Sequence, residues 1–163
     1  MALYRFQLRS DLSTQAVLER LQTLAREQPG FGQSLKESFG WREGDSPPFI
    51  GRVEGNSFKL YRDIRYRNSF LPRIRGHVSA YRDGTNIDVT MYLHPVVLVF
   101  MLFWLGGVGA SAVAMLGHGK GTQAFIPLGM FVFGVALILG GFYPEAFKAR
   151  RILEEHIGNQ VGS

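Results

Sequence analysis

Residues 95–116 read PVVLVFMLFWLGGVGASAVAML and residues 125–143 read FIPLGMFVFGVALILGGFY. The first stretch has 22 residues and the second 19. At a helical rise of about 1.5 Å per residue they would be roughly 33 Å and 28 Å long, against a hydrocarbon core of about 30 Å. No Asp, Glu, Lys or Arg occurs between Thr90 and Gly119. The pair therefore reads as an antiparallel transmembrane hairpin over residues 94–143, with spans at about 95–116 and 125–143 and a glycine-rich turn, GHGKGTQA, over 117–124. Two helices buried in a soluble core are the competing reading, but the remaining chain is too short to wrap both on all sides.

Charge divides the chain at the same places. The first 93 residues hold 14 of the 18 Lys and Arg and 10 of the 13 Asp and Glu, residues 94–143 hold only Lys120, and residues 144–163 hold three of each sign. The formal +5 is thus +4, +1 and 0 over the three blocks, which excludes both an ordinary soluble domain and intrinsic disorder. Arg73, Arg75 and Arg82 precede the first span and Lys148, Arg150 and Arg151 follow the second, so the positive-inside rule puts both termini in the cytoplasm of an inner or thylakoid-type membrane. The amino terminus lacks the continuous apolar stretch of a signal peptide. Tyr92 and Tyr143 stand where interfacial anchors belong. The spans contain no ionisable side chain, so two helices alone do not make a pump or transporter. Gly106, Ala110 and Ala114 in the first span, and Gly134 and Gly141 in the second, are small residues at helical spacings that let backbones approach. They are expected to pack the two helices together, with docking of another membrane protein as the sharper alternative.

The first block, residues 1–93, reads as a cytoplasmic α+β domain. Tyr4, Phe6 and Leu8 alternate as in a half-buried strand. Ser13 can cap a helix with Ala16, Val17, Leu18, Leu21, Leu24 and Ala25 on one face, ended by Gln28-Pro29-Gly30. Residues 31–48 read as a loop, with room for a short helix near 31–38. From Phe49 the period becomes two, giving one hairpin around Glu54-Gly55-Asn56-Ser57, with Arg62 out of pattern, and a second around Asp83-Gly84. The expected order is one strand, one helix and about four antiparallel strands, then the hairpin, then a short amphipathic helix in residues 144–163. In that tail Ala146, Ala149, Leu153 and Ile157 form an apolar side, to lie on the membrane or pack on the sheet.

The pattern Phe49-x-Gly51-x-Val53, the run IRYRNSFLP over residues 64–72, and Gly76-x-Val78 before a paired-helix tail resemble small uncharacterised bacterial two-span membrane proteins. The resemblance covers about residues 49–105 and implies no activity. The strand-helix-meander order is also similar to lipid-binding helix-grip folds and to a reduced pleckstrin-like sheet, as a likeness of fold only. A helix-grip domain ends in a long helix across its sheet, and here a span is expected in that place.

Between Arg52 and Arg82 lie eight cations and two carboxylates, a local +6, interleaved with Tyr61, Tyr66, Phe70 and Tyr81. Nucleic acid is one polyanion such a stretch could meet, but its position just before a span makes lipid headgroups the nearer one. Arg62, Arg65, Arg67, Arg73 and Arg75 are the candidates for binding anionic lipid or a partner, against the plainer reading that they enforce topology and solubility. Cysteine is absent, and His77, His94, His118 and His156 are too dispersed for a metal spacing. His94 could ligate a porphyrin-type pigment but reads more simply as a polar anchor. No nucleophile motif or acid–base carboxylate pair is present. The expectation is a non-enzymatic accessory, assembly or regulatory subunit of a membrane complex without cofactor, metal or nucleic acid, its partners being membrane lipid and another integral membrane protein. The alternative is a membrane-anchored domain for lipid headgroups or a small apolar ligand.

Overall fold

The computed structural model describes residues 3–26, 47–64, 66–119 and 121–158. Its elements are β1 Tyr4–Ser10, α1 Thr14–Leu24, β2 Ala25–Arg26, β3 Phe49–Glu54, β4 Ser57–Arg62, β5 Arg73–Tyr81, β6 Gly84–Tyr92, α2 Pro95–Gly117 and α3 Gly121–Ile157. The six strands form one sheet in the order β1-β6-β5-β4-β3-β2. All neighbours are antiparallel except β2, which runs parallel to β3. An α+β chain with a sheet followed by two long apolar helices is what the sequence suggested, and the details differ in three places.

Helix α1 begins where expected, with the Ser13 side chain accepting from the Ala16 amide, but it ends at Leu24. Ala25 is already extended and pairs with Phe49, so edge pairing to β3 ends the helix before Gln28-Pro29-Gly30. That tripeptide and the short helix considered near 31–38 lie outside the described residues. The second hairpin turns on Arg82-Asp83, one residue earlier than Asp83-Gly84, with Tyr81 opposite Gly84 and Arg82 at φ 49°. The first turns on Gly55-Asn56, with Gly55 at φ 55° supplying the left-handed residue that a two-residue turn requires.

The third difference is the largest. The second apolar stretch and the expected separate tail helix are one 37-residue helix, with Pro127 and Pro144 inside it. Proline in a helix interior removes one backbone bond, yet packing on both sides of Pro144 holds the helix continuous. Phe142, Ala146, Ala149, Leu153 and Ile157, at helical spacing, are each at most 1 % exposed. They pack with Val17, Leu21 and Leu24 of α1 on the inner side of the sheet, against Phe49, Phe58, Leu60, Ile74, Ile87 and Met91. The apolar side read from the tail is thus the side buried, on the sheet. Arg20 of α1 donates to the His156 carbonyl at 3.0 Å, a cation at the negative end of α3.

Two glycines let neighbouring strands approach closely. Gly76 lies under the Phe58 ring, its cross-strand neighbour, where a β-carbon would stand 2.0 Å from the ring. Gly51, at φ 154°, brings its backbone against the Lys59 carbonyl.

Helices α2 and α3 are both long and apolar enough to cross a membrane, and the rest of the chain buries only 11 % and 17 % of their most apolar windows. Phe103 is 84 % exposed and Ile126 73 %, unlike the helices of a soluble core.

Candidate functional site

Side chains alternate along each strand, so the register assigns every residue to a face. The inner face carries the core. On the outer face the pairings align Arg5, Thr90, Arg75, Lys59 and Arg52 in one rung across β1, β6, β5, β4 and β3. The neighbouring rung is Tyr92, Arg73, Tyr61, Ile50 and Arg26. On the other side of the cationic rung lie Gln7, Asp88, His77, Ser57 and Glu54. Positive charge is therefore graded along the strands and concentrated at the end where Tyr92 leads, three residues on, into Pro95 of α2.

A groove of about 620 Å³ runs over this face, lined among others by Arg52, Lys59, Tyr61, Arg73, Arg75 and Tyr92. Its volume is in the range of small-ligand sites. The four cations are exposed. The Arg73 guanidinium lies 5.8 Å from the Tyr61 ring centroid and that of Arg75 lies 5.0 Å from Tyr92, close enough for the ring faces to hold both in place. Burial pushes the Tyr61 hydroxyl above its usual range, against the opposing pull of Arg73, so it stays a neutral donor at physiological pH. Beside it, Arg26 and Asp63 pair at 3.1 Å.

Arg62 faces the other way. At the end of β4 it points to the inner side and pairs with Glu145 of α3. The Glu145 side chain is 3 % exposed. It accepts from Tyr66 Oη at 2.5 Å and from Lys148 Nζ at 3.2 Å. Burial raises the Glu145 carboxyl, but the bonds from Tyr66 and Lys148 and the charge of Arg62 outweigh it and hold the group below its ordinary value. The bond to Glu145 in turn raises Tyr66. One turn earlier, Asn68 donates to the Gly141 carbonyl at 2.8 Å, and Phe70 fills the space that a side chain at Gly141 would take. The 66–70 segment thus clasps α3 where its apolar stretch ends.

Of the five arginines singled out from the sequence, Arg73 and Arg75 meet on the outer face, Arg62 belongs to the clasp, Arg67 is exposed on the segment after β4, and Arg65 lies outside the described residues. Arg52, Lys59, Tyr61 and Tyr92 join the site only through strand register. Glu145 was missed: after Pro144 it reads as a first-turn helix carboxylate, and the sequence signal of its partner was Arg62 breaking the apolar alternation of β4.

Among the small residues, Gly134 packs the hairpin, facing Leu105 and Trp104, while Gly141 meets Phe70 of the sheet domain. Gly106, Ala110 and Ala114 face outward, with nothing within 4 Å of a β-carbon at Gly106. Bulky α2 side chains seat against a glycine of α3, which turns the small stripe of α2 away from the interface. His94 caps α2, its Nδ1 accepting from the Val96 amide at 3.3 Å. No group of His, Asp or Glu suited to a metal occurs among the described residues.

No protein-family model, curated protein or solved structure matches this chain.

Proposed function

We propose that this chain is a non-enzymatic, membrane-anchored accessory or regulatory subunit, with its sheet domain and both termini on the cytoplasmic side of an inner or thylakoid-type membrane and its hairpin docking another integral membrane protein. One observation carries the reading. Helix α3 runs unbroken from an apolar, exposed half into the core of the sheet domain, so anything bound by the domain is mechanically joined to whatever the hairpin contacts. The outward stripe of Gly106, Ala110 and Ala114 offers close approach to a further helix.

The buried carboxylate supports a structural role. A general acid or base working near neutrality needs a raised carboxyl pKa, and Glu145 is lowered. The side of the sheet where a helix-grip protein would hold an apolar ligand is filled here by Phe49, Phe58, Phe142, Leu21 and Leu153, each at most 1 % exposed.

The test is purification of the full chain in mild detergent, with identification of whatever co-purifies in fixed ratio. An integral membrane protein retained by the natural chain and lost from a G106L/A110L variant supports the proposal. A monodisperse chain that keeps no membrane protein at all counts against it.

A further inference from the structure

We propose that the outer face of the sheet binds the phosphates of anionic lipids in the bilayer that the chain's own hairpin spans; the inference rests on reading α2 and α3 as membrane spans. The chain enters and leaves the apolar helices at one end of the sheet. Tyr92 is three residues from Pro95, at most about 10 Å of extended chain. Arg62, held by Glu145 just past the apolar part of α3, flanks Tyr61 at the same end of the sheet. Both connections therefore leave from one end, and that end faces the bilayer.

Arg73 and Tyr61 occupy the first outer rung from this end, and Arg52, Lys59 and Arg75 the second. Rungs run across strands, so the cationic band lies parallel to the membrane plane. Across β3, β4, β5, β6 and β1 at about 4.8 Å per strand it is roughly 19 Å long, and two rungs are only about 7 Å deep. Beyond it, Glu54 and Asp88 turn the face neutral. A band that is long in the plane, shallow along the normal and closed off by carboxylates fits a row of headgroups. Tyr61 and Tyr92 add amphipathic rings at the depth where such rings favour a bilayer interface. A nucleic-acid strand would instead gain from basic residues continuing along its path, and among the described residues the next rung carries Glu54 and Asp88 and no Lys or Arg. The charge complementarity thus commits the face to anionic lipid.

Native mass spectrometry of the full chain in neutral detergent, titrated with phosphatidylglycerol and with phosphatidylcholine of the same acyl chains, tests this. The natural chain is expected to retain phosphatidylglycerol preferentially. R52Q/K59Q/R73Q/R75Q is expected to lose at least tenfold of that preference, given about fivefold per cation near an anionic surface. R9Q/R82Q, which removes two cations beside Tyr81 at the far end, is expected to keep it. Circular dichroism checks that the variants fold, and R52Q/K59Q replaces the quadruple variant if that one does not.

Equal retention of both lipids, equal loss in the near-end and far-end variants, displacement of the lipid by an equal concentration of inorganic phosphate, or tighter binding of a single-stranded oligonucleotide each overturns the inference. Carbonate-resistant insertion into phosphatidylcholine vesicles is measured on the same preparation. An inserted chain without lipid preference overturns this inference alone, and a chain stripped from the vesicles takes the membrane reading with it.

Discussion

Replacing Glu145 with Ala removes the common partner of Arg62, Tyr66 and Lys148 and leaves a guanidinium facing the inner side of the sheet. Breaking a buried ion pair from one side costs about 3–5 kcal/mol. The lower end applies here, because the Arg62 side chain keeps 18 % of its exposure and Lys148, at 60 %, returns to water. The expected loss is therefore about 3 kcal/mol. Glu145→Gln keeps an acceptor for Tyr66 but no charge for Arg62, and about 2 kcal/mol is expected, the scale of one charge-assisted hydrogen bond. R62M/E145L removes both charges and should recover most of the loss. Reversible denaturant unfolding of the full chain in neutral micelles, followed by circular dichroism, measures all four proteins. The pH dependence has a definite sign. The folded carboxyl lies below its ordinary value of about 4.5, so its contribution is complete above that pH and is lost as pH falls through the folded pKa. Stability from this group should be flat between neutrality and pH 5 and decline only in acid, with the decline missing in Glu145→Gln. A loss under about 1 kcal/mol for Glu145→Ala, or an R62M/E145L variant no more stable than Glu145→Ala, would refute the clasp as an energetic joint.

Four further outcomes are expected. Gly76→Ala should cost about 1–3 kcal/mol by forcing the buried Phe58 ring aside. Gly51→Ala should cost more in the same unfolding experiment, because the Lys59 carbonyl cannot yield as a side chain does and φ is unfavourable too; equal or smaller losses would contradict the geometry. In spheroplasts, an impermeant maleimide should label H118C in the turn but not S79C in β5, and labelling of S79C would reverse the topology. Gly134→Leu should disrupt the hairpin by colliding with Leu105, lowering the yield of folded protein in detergent, whereas Gly106→Leu should leave it unchanged.

The hairpins were legible because alternation and Gly55-Asn56 are local signals, and both long apolar helices were legible by length and composition. What stayed hidden depends on partners distant in sequence. No periodicity places Arg52, Lys59, Arg75 and Arg5 in one rung; that takes the register of five strands. The turn at Arg82-Asp83 escaped because Asp83-Gly84 is the commoner turn sequence, and the two-residue β2 is too short to carry a pattern. Pro144 read as a helix start because the helix continues through it only with Phe142, Glu145 and Ala146 buried on either side, which the linear chain does not display. Arg62 was visible as an exception to its strand, although the carboxylate that explains it lies 83 residues away.

From Phe142 to Ile157 helix α3 has 16 residues inside or against the sheet domain, an arm of about 24 Å at 1.5 Å per residue. A spanning helix answers a change in bilayer thickness by tilting. A tilt of about 10° at the hairpin would swing the far end of that arm by about 4 Å, carrying the sheet with it as a pointer moves with its pivot. If the two apolar helices span a bilayer, its thickness would then set the angle at which the domain stands over the surface.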